Sequence, residues 1–215
     1  IRKSKSDYLF DIFNTIIMVV FLFVMAYPLY YTIIASFSDI NQLGLGNIYF
    51  FPKGFSLDAY RNIFANSQVW VGYRNSIIYT AGSTLYSLII MIPLAYSLSK
   101  KKLFARNIIS WYFLFTMYFS GGLIPSYLLI QSLKLGNTPW VMIIGGVYNM
   151  IITRTFFQTS IPEELYESAR IDGASEFRCF FSIALPLSSA IIAVMALFQA
   201  VGSWNSYFGA MIYLT

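Results

Sequence analysis

Side chains able to do chemistry crowd into one stretch of this chain, Ser160 to Pro186, which reads SIPEELYESARIDGASEFRCFFSIALP between apolar surroundings. It holds Glu163, Glu164, Glu167, Asp172 and Glu176 together with Arg170 and Arg178. Bond-making is not what this set suggests. The chain has no histidine, so the commonest general base is absent, and no nucleophile with a positioned base is evident. There is no Gly-x-x-x-x-Gly-Lys-Ser/Thr phosphate loop, so ATP binding and hydrolysis in the usual way are excluded for this chain alone. The single cysteine, Cys179, excludes an intramolecular disulfide and leaves no zinc-type site; it reads as packing. What remains is helix capping and recognition by charge.

The spacing predicts the elements that carry these groups. Ser160 with Glu163 forms a capping box, and Pro162 is tolerated in a first turn whose amide is unpaired anyway, so a helix is expected to start here. Gly173 falls where a left-handed residue would close it, and Ser175 followed by Glu176 can start a second helix. Phe177, Phe180, Phe181 and Ala184 lie at i, i+3, i+4 and i+7, one apolar face, and Pro186 is expected to stop the helix. The unit is helix, glycine turn, helix.

Around it the chain reads as membrane protein. At 215 residues, 58% hydrophobic and 11% charged, it lies outside the range of soluble globular domains. Beginning at Ile1 and ending at Thr215 within an apolar run, it is expected to be an interior portion of a longer chain. Five apolar runs are expected as spans: Ile12 to Ala35, with Pro28 inside it; Asn75 to Ser99; Asn107 to Leu133, broken by Ser120, Gly121, Gly122 and Pro125; Pro139 to Phe156; and Ser188 to the end. A span needs about 20 residues. The connection Ser36 to Arg74 is expected to form short interfacial helices, with Trp70 and Tyr73 near a headgroup boundary.

Positive charge sets the expected orientation, because short loops rich in Lys and Arg stay in the cytoplasm. Arg2, Lys3, Lys5, Lys100, Lys101, Lys102, Arg106, Arg154, Arg170 and Arg178 fall on one side if the amino terminus is cytoplasmic, and Lys53, Arg61, Arg74 and Lys134 on the other. Topology thus accounts for the net charge of +5, and a nucleic-acid surface is the wrong inference from it. No Asp, Glu, Lys, Arg or His falls within the apolar cores, Arg154 being counted with the cytoplasmic segment. This disfavours an ion-coupled carrier.

The polar stretch also resembles the EAA loop of permease subunits of ATP-binding-cassette importers: Glu-Ala-Ala, two residues, Asp-Gly-Ala, five residues, Phe, two residues, Ile, one residue, Leu-Pro. The same register here holds Glu167, Ser168, Ala169, Asp172, Gly173, Ala174, Phe180, Ile183, Leu185 and Pro186, with Ser168 the one departure. Asn75, Ser76 and Thr84 ahead of Pro93 to Lys100, then Thr155 to Phe157, then Trp204 and Asn205, are similar to the carbohydrate-type permeases, MalG-like and of their LplC-type branch.

That resemblance implies an all-α polytopic transmembrane bundle of the type I importer permease fold, residues 1–215 forming a single permease domain, with a sixth helix after Thr215. It implies a carbohydrate importer working by alternating access in the bacterial inner or plasma membrane. Its partners would be a second, homologous permease, two ATPase subunits and an extracytoplasmic solute-binding protein, with membrane lipid around it. No cofactor is expected in this chain; ATP and Mg would sit in the partner ATPase. The loop 160–186 would dock on that ATPase through Glu167, Ser168, Ala169, Asp172, Gly173, Ala174, Phe177 and Phe180, with Phe177, Phe180 and Phe181 anchoring it to the membrane helices. Glu167 and Asp172 suit either docking contacts or capping within the loop. Asn149, Gln199, Ser203, Trp204, Asn205 and Tyr207 are candidates for a substrate path, since sugar recognition combines ring stacking with neutral hydrogen-bonding groups; the alternative is helix packing. The rival functions are an importer for another solute, a secondary carrier and a channel.

Overall fold

The computed structural model describes residues 5–146 and 149–214, with only the backbone given for 5 and 6. Arg2 and Lys3, counted above toward the amino-terminal charge, lie outside the described residues, as do residues 147–148 of the expected fourth span. The described residues are helical, without strands, and cluster into two compact units divided after Gly72.

The first unit opens with α1 (Lys5–Ser36), which continues through Pro28. The following connection holds α2 (Ile40–Gly44) and α3 (Asp58–Ala65), the short helices expected there. Asp39 starts α2, its carboxylate accepting from the Asn41 amide at 2.7 Å. Tyr27 donates to the Tyr49 carbonyl at 3.1 Å, and Tyr30 donates to that of Phe50. Trp70 is not in the connection as expected: it lies in α4 (Ser67–Ser99), which starts eight residues before the expected edge, and its indole N–H donates to the Phe64 carbonyl at 3.1 Å. Asn66 ends α3, and its side-chain oxygen accepts from the Gln68 amide at 2.9 Å, which lets a new helix begin at once.

The second unit continues from Tyr73. Helix α5 (Arg106–Tyr118) and α6 (Leu123–Ser132) bend by 116° about the break foreseen at Ser120 to Gly122. Gly122 takes φ +87°, which a side chain would resist, and the Ser120 hydroxyl accepts from its amide. The expected fourth span is not one helix. It consists of α7 (Trp140–Ile143) and α8 (Met150–Thr159), separated by Gly145, Gly146 and a left-handed Asn149, and neither piece has the length to cross a membrane. After α9 (Glu163–Ile171), a continuous helix Glu176–Leu187 consists of α10 (Glu176–Cys179), a π-helical turn at Phe180–Ala184 and α11 (Leu185–Leu187). It bends by 75° into α12 (Ser189–Trp204), followed by α13 (Tyr207–Tyr213).

Among the described residues, two helices can cross a membrane by length and apolarity, Asp7–Ser36 and Ser67–Ser99, or four spans if each bent pair counts as one. The fourth run expected from hydropathy is not among these, since its helix is interrupted at Gly145 and Gly146.

The helix stops beside Pro186 as expected, ending at Leu187 before the 75° bend into α12. The Leu185 amide reaches the Phe180 carbonyl, five residues back, and this wider turn lets the helix absorb a proline that has no amide to donate. The core of this unit gathers Met91, Ile92, Ala95, Tyr96 and Leu98 of α4, Met150 and Phe157 of α8, then Ile161, Tyr166, Cys179, Phe180, Ala184 and Met195. The polar stretch is thus packed on the end of α4, not loose beside it.

Candidate functional site: a helix–glycine–helix loop on the end of α4

Helix α9 ends as the spacing predicts. Gly173 takes φ +78°, its amide donates to the Arg170 carbonyl at 3.0 Å, and the Ala174 amide donates to that of Ala169 at 2.8 Å. This pair of bonds closes the last turn only with a left-handed residue at Gly173. Ser175 then caps α10, its hydroxyl accepting from the Arg178 amide at 3.3 Å.

The start of α9 differs from expectation. Ser160 belongs to the end of α8, its amide donating to the Phe156 carbonyl at 2.9 Å, and no capping box forms. Pro162, extended at ψ 137°, is the residue that turns the chain into α9. The Glu163 carboxylate goes to Arg170, 3.3 Å away, and toward Lys100 at 4.0 Å. Two cations outcompete a neutral backbone amide for it.

One face of the loop is buried. Tyr166 is 1% exposed, and Cys179 and Ala184 are fully covered. Tyr96 sits at the centre, its ring 5.0 Å from that of Phe180, 5.7 Å from Phe157 and 6.1 Å from Tyr166. The expected apolar face is only half realised: Phe180 is buried, but Phe177 and Phe181 are 79% and 60% exposed, so they do not anchor the loop. Phe177, in α10 ahead of the π-helical turn, and Phe181, within that turn, both lie off the inward line. That line runs through Cys179, Phe180, Ala184 and Ser188.

Charges close the edge of this face. Arg170 spans both helices, its Nη1 on Glu163 and its Nε on Glu176 at 3.0 Å, which holds its pKa above the usual value chiefly through the Glu176 bond. Tyr96 donates weakly to the second Glu176 oxygen at 3.5 Å. Lys100, the residue directly after α4, places Nζ 3.0 Å from the Tyr166 ring centroid. Burial pushes its pKa down, and Glu163 opposes that shift. Burial likewise pushes the Tyr166 hydroxyl up to about 12. The carbonyls ending α4 are also taken, Leu98 by Arg154 Nε at 3.1 Å and Ser99 by the Gln158 amide at 3.3 Å. A cavity of about 890 Å³ opens beside this network, lined by Lys101, Lys102, Arg106 and Glu167 among others.

The other face is free. Glu167, Ser168, Asp172, Gly173 and Phe177 are exposed, and Ala169 and Ala174 half-buried. Among the described residues no side-chain hydrogen bond or ion pair engages Glu167 or Asp172, so neither carboxylate caps the loop. Ile171 is 87% exposed in the same helix.

Spacing alone missed Tyr96, Lys100, Arg154, Gln158, Tyr166 and Arg170. The Lys100 to Arg106 run was legible only as topology, and the tyrosines were lost among 17 of their kind.

The second group of sequence candidates does not converge in this way. Gln199, Ser203 and Trp204 end α12, Asn205 follows it and Tyr207 starts α13, while Asn149 opens α8 with φ 42°. The Asn205 amide group donates to the Val201 carbonyl of its own helix at 2.8 Å. Trp204 lines an open, apolar cavity of about 410 Å³ with Ile77, Thr80, Ala81, Thr84, Leu85, Leu88 and Ala200. Tyr207 is 77% exposed.

An all-helical chain with apolar spanning helices, and a charged loop buried on one face and open on the other, has the form of a membrane permease that docks a partner. The chain belongs to the family described as binding-protein-dependent transport system inner membrane component, whose profile matches residues 68–214. It is 38% identical over 216 residues to Protein LplC of Bacillus subtilis, covering 99% of this chain and 73% of that one. It is 37% identical over 209 residues to the B. subtilis polygalacturonan/rhamnogalacturonan transport system permease protein YtcP, covering 96% and 73%. A solved structure of a bacterial ABC transporter involved in the import of the acidic polysaccharide alginate superposes with a TM-score of 0.93 at 31% identity, over 100% of this chain and 78% of that chain.

Proposed function

We propose that this chain is the permease subunit of an ATP-driven oligosaccharide importer, taking acidic, pectin-like sugars across the membrane by alternating access. Two relatives of this chain carry acidic polysaccharides in their names, one a polygalacturonan/rhamnogalacturonan permease and one an alginate importer, and this supports the substrate class. Hydrolysis of ATP takes place in two partner ATPase subunits, a second permease completes the membrane pathway, and an extracytoplasmic binding protein delivers the sugar. The amino terminus and the loop 160–186 face the cytoplasm.

The observation that carries this reading is the two-sided loop. Its inner face is closed by Tyr166, Cys179 and Phe180, while Glu167, Ile171, Asp172 and Phe177 project outward. A rigid helix–turn–helix with an open acidic and apolar face suits a groove on a partner, and its packing on the end of α4 suits transmission of motion into the membrane. Glu167, Ser168, Asp172 and Phe177 are proposed as the docking residues, Phe180 as the inward anchor, and Gly173 as the turn that sets the angle. Trp204, with Gln199 and Ser203 on the same helix, is the proposed edge of the sugar path.

The test is purification of the full-length chain from membranes, with and without a Glu167→Ala, Gly173→Val double substitution. The reading expects an ATPase, a second permease and a binding protein with the parent chain, and loss of the ATPase from the variant. Recovery of the parent chain alone, or uptake of oligogalacturonide that survives removal of ATP, would refute it.

A further inference from the structure

We infer that Lys100 is the positioning residue that fastens α9 to the end of α4, its ammonium group resting on the face of the Tyr166 ring. The inference rests on the coupling role proposed above and names the joint through which it acts. Lys100 is one of four cations between α4 and the start of α5, and in sequence it looks no different from Lys101 and Lys102. In the fold it is. Lys101 and Lys102 are exposed, whereas the Lys100 side chain is 15% exposed, with Nζ at 3.0 Å from the Tyr166 centroid, 4.9 Å from that of Tyr96 and 4.0 Å from the Glu163 carboxylate.

A cation over an aromatic face is attracted by the ring quadrupole, and the attraction grows when water is excluded. Here the ring is 1% exposed, and its hydroxyl has no hydrogen-bond partner among the described residues. The face of Tyr166 is therefore the part the structure uses, and the hydroxyl is not. On the same face of α9, Arg170 ties Glu163 to Glu176 and so links α9 to α10. Lys100 is attached directly to the last residue of α4 by the chain. A pull on the outer face of α9 consequently reaches the end of α4 through Lys100 beside the ring contacts of Tyr96.

The test uses the assembled full-length complex, with nitroxide labels at Lys102→Cys and Glu164→Cys, both exposed and neither a docking residue; native Cys179 is fully buried and escapes labelling. Label-to-label distances are measured without nucleotide and after trapping with ATP and vanadate. The parent is expected to show one narrow distribution common to both states. Lys100→Met broadens and shifts it in the trapped state, and import of oligogalacturonide per ATP hydrolysed falls about tenfold. Lys100→Arg restores the narrow distribution. Tyr166→Phe keeps it, because the ring remains, and Tyr166→Leu loses it. A narrow, parent-like distribution in Lys100→Met, or a loss in Tyr166→Phe equal to that in Tyr166→Leu, overturns the inference while the coupling role stands. Absence of ATPase from the parent complex overturns the coupling role itself and the joint with it.

Discussion

Between Glu163 and Leu187 nearly every charged or aromatic side chain on the inner face meets a partner from another element; between Gln199 and Tyr207 the Asn205 side chain bonds back to its own helix and Tyr207 meets open surroundings. The two regions were singled out for the two halves of one task, coupling and passage. Their difference is the one that the roles proposed for them require. A lever needs many fixed contacts so that a push at one end arrives at the other, whereas a path needs surfaces left unoccupied until substrate or a partner subunit covers them.

The largest effect that tests this contrast is truncation of a ring in each region. Tyr166→Ala should destabilise the chain by about 3–4 kcal/mol, as expected for emptying a buried aromatic site. Trp204→Ala, at a residue 49% exposed, should cost less than about 1 kcal/mol. Thermal unfolding in detergent measures both, and equal losses would erase the distinction.

Glycine substitution gives the next contrast. Nothing lies within 4 Å of a Cβ built on either Gly173 or Gly202, so space is not the issue at either site. Gly173→Ala should cost about 1–2 kcal/mol of loop stability, because φ +78° strains any L side chain. Gly202→Ala, inside α12 and without a positive φ, should instead stabilise by about 0.5–1 kcal/mol. Limited proteolysis of the loop and melting temperature together read this sign change.

A smaller effect is expected for Arg170→Gln. Its two partners are about 60% exposed, so losing both pairs should cost about 1 kcal/mol. The loop should nevertheless fray between α9 and α10, visible as faster amide exchange at Ala174 to Glu176. Exchange unchanged there would mean the Gly173 turn alone joins the helices.

The smallest effect is a pH dependence. The Tyr166 hydroxyl titrates at about 12 in the fold against 10.0 in an unperturbed chain, mainly through burial. Because the folded value is raised, this stabilising contribution is complete below pH about 10 and is lost as pH rises through about 12. Stability of the parent should therefore fall more steeply across that window than stability of Tyr166→Phe. Parallel curves would show that the hydroxyl is wet in the folded protein.

The loop was legible in sequence where local rules govern. The closing turn at Gly173 and the cap at Ser175 depend on residues within a few positions of each other, and both form as read. The break at Ser120 to Gly122 is of the same kind. The capping box at Ser160 was a local reading too, and it failed because Glu163 has non-local partners in Lys100 and, seven residues on, Arg170. The apolar face over Phe177 to Ala184 is only half realised for a different reason: spacing names an apolar stripe but not which edge of it meets the core, and the buried line runs through Cys179, Phe180 and Ala184.

Sequence by itself determined that this chain is helical and membrane-embedded, that its polar stretch folds as helix, glycine turn and helix, and where that turn closes. These follow from hydropathy, from the left-handed conformation that glycine alone adopts freely, and from short-range hydrogen bonds. Only the tertiary structure decided which of three successive lysines turns inward, which phenylalanine of the loop is buried, and that the end of α4 is sealed by Arg154 and Gln158 some 56 and 59 residues away. Those choices depend on which surfaces meet, and residues far apart in the chain carry no local record of one another.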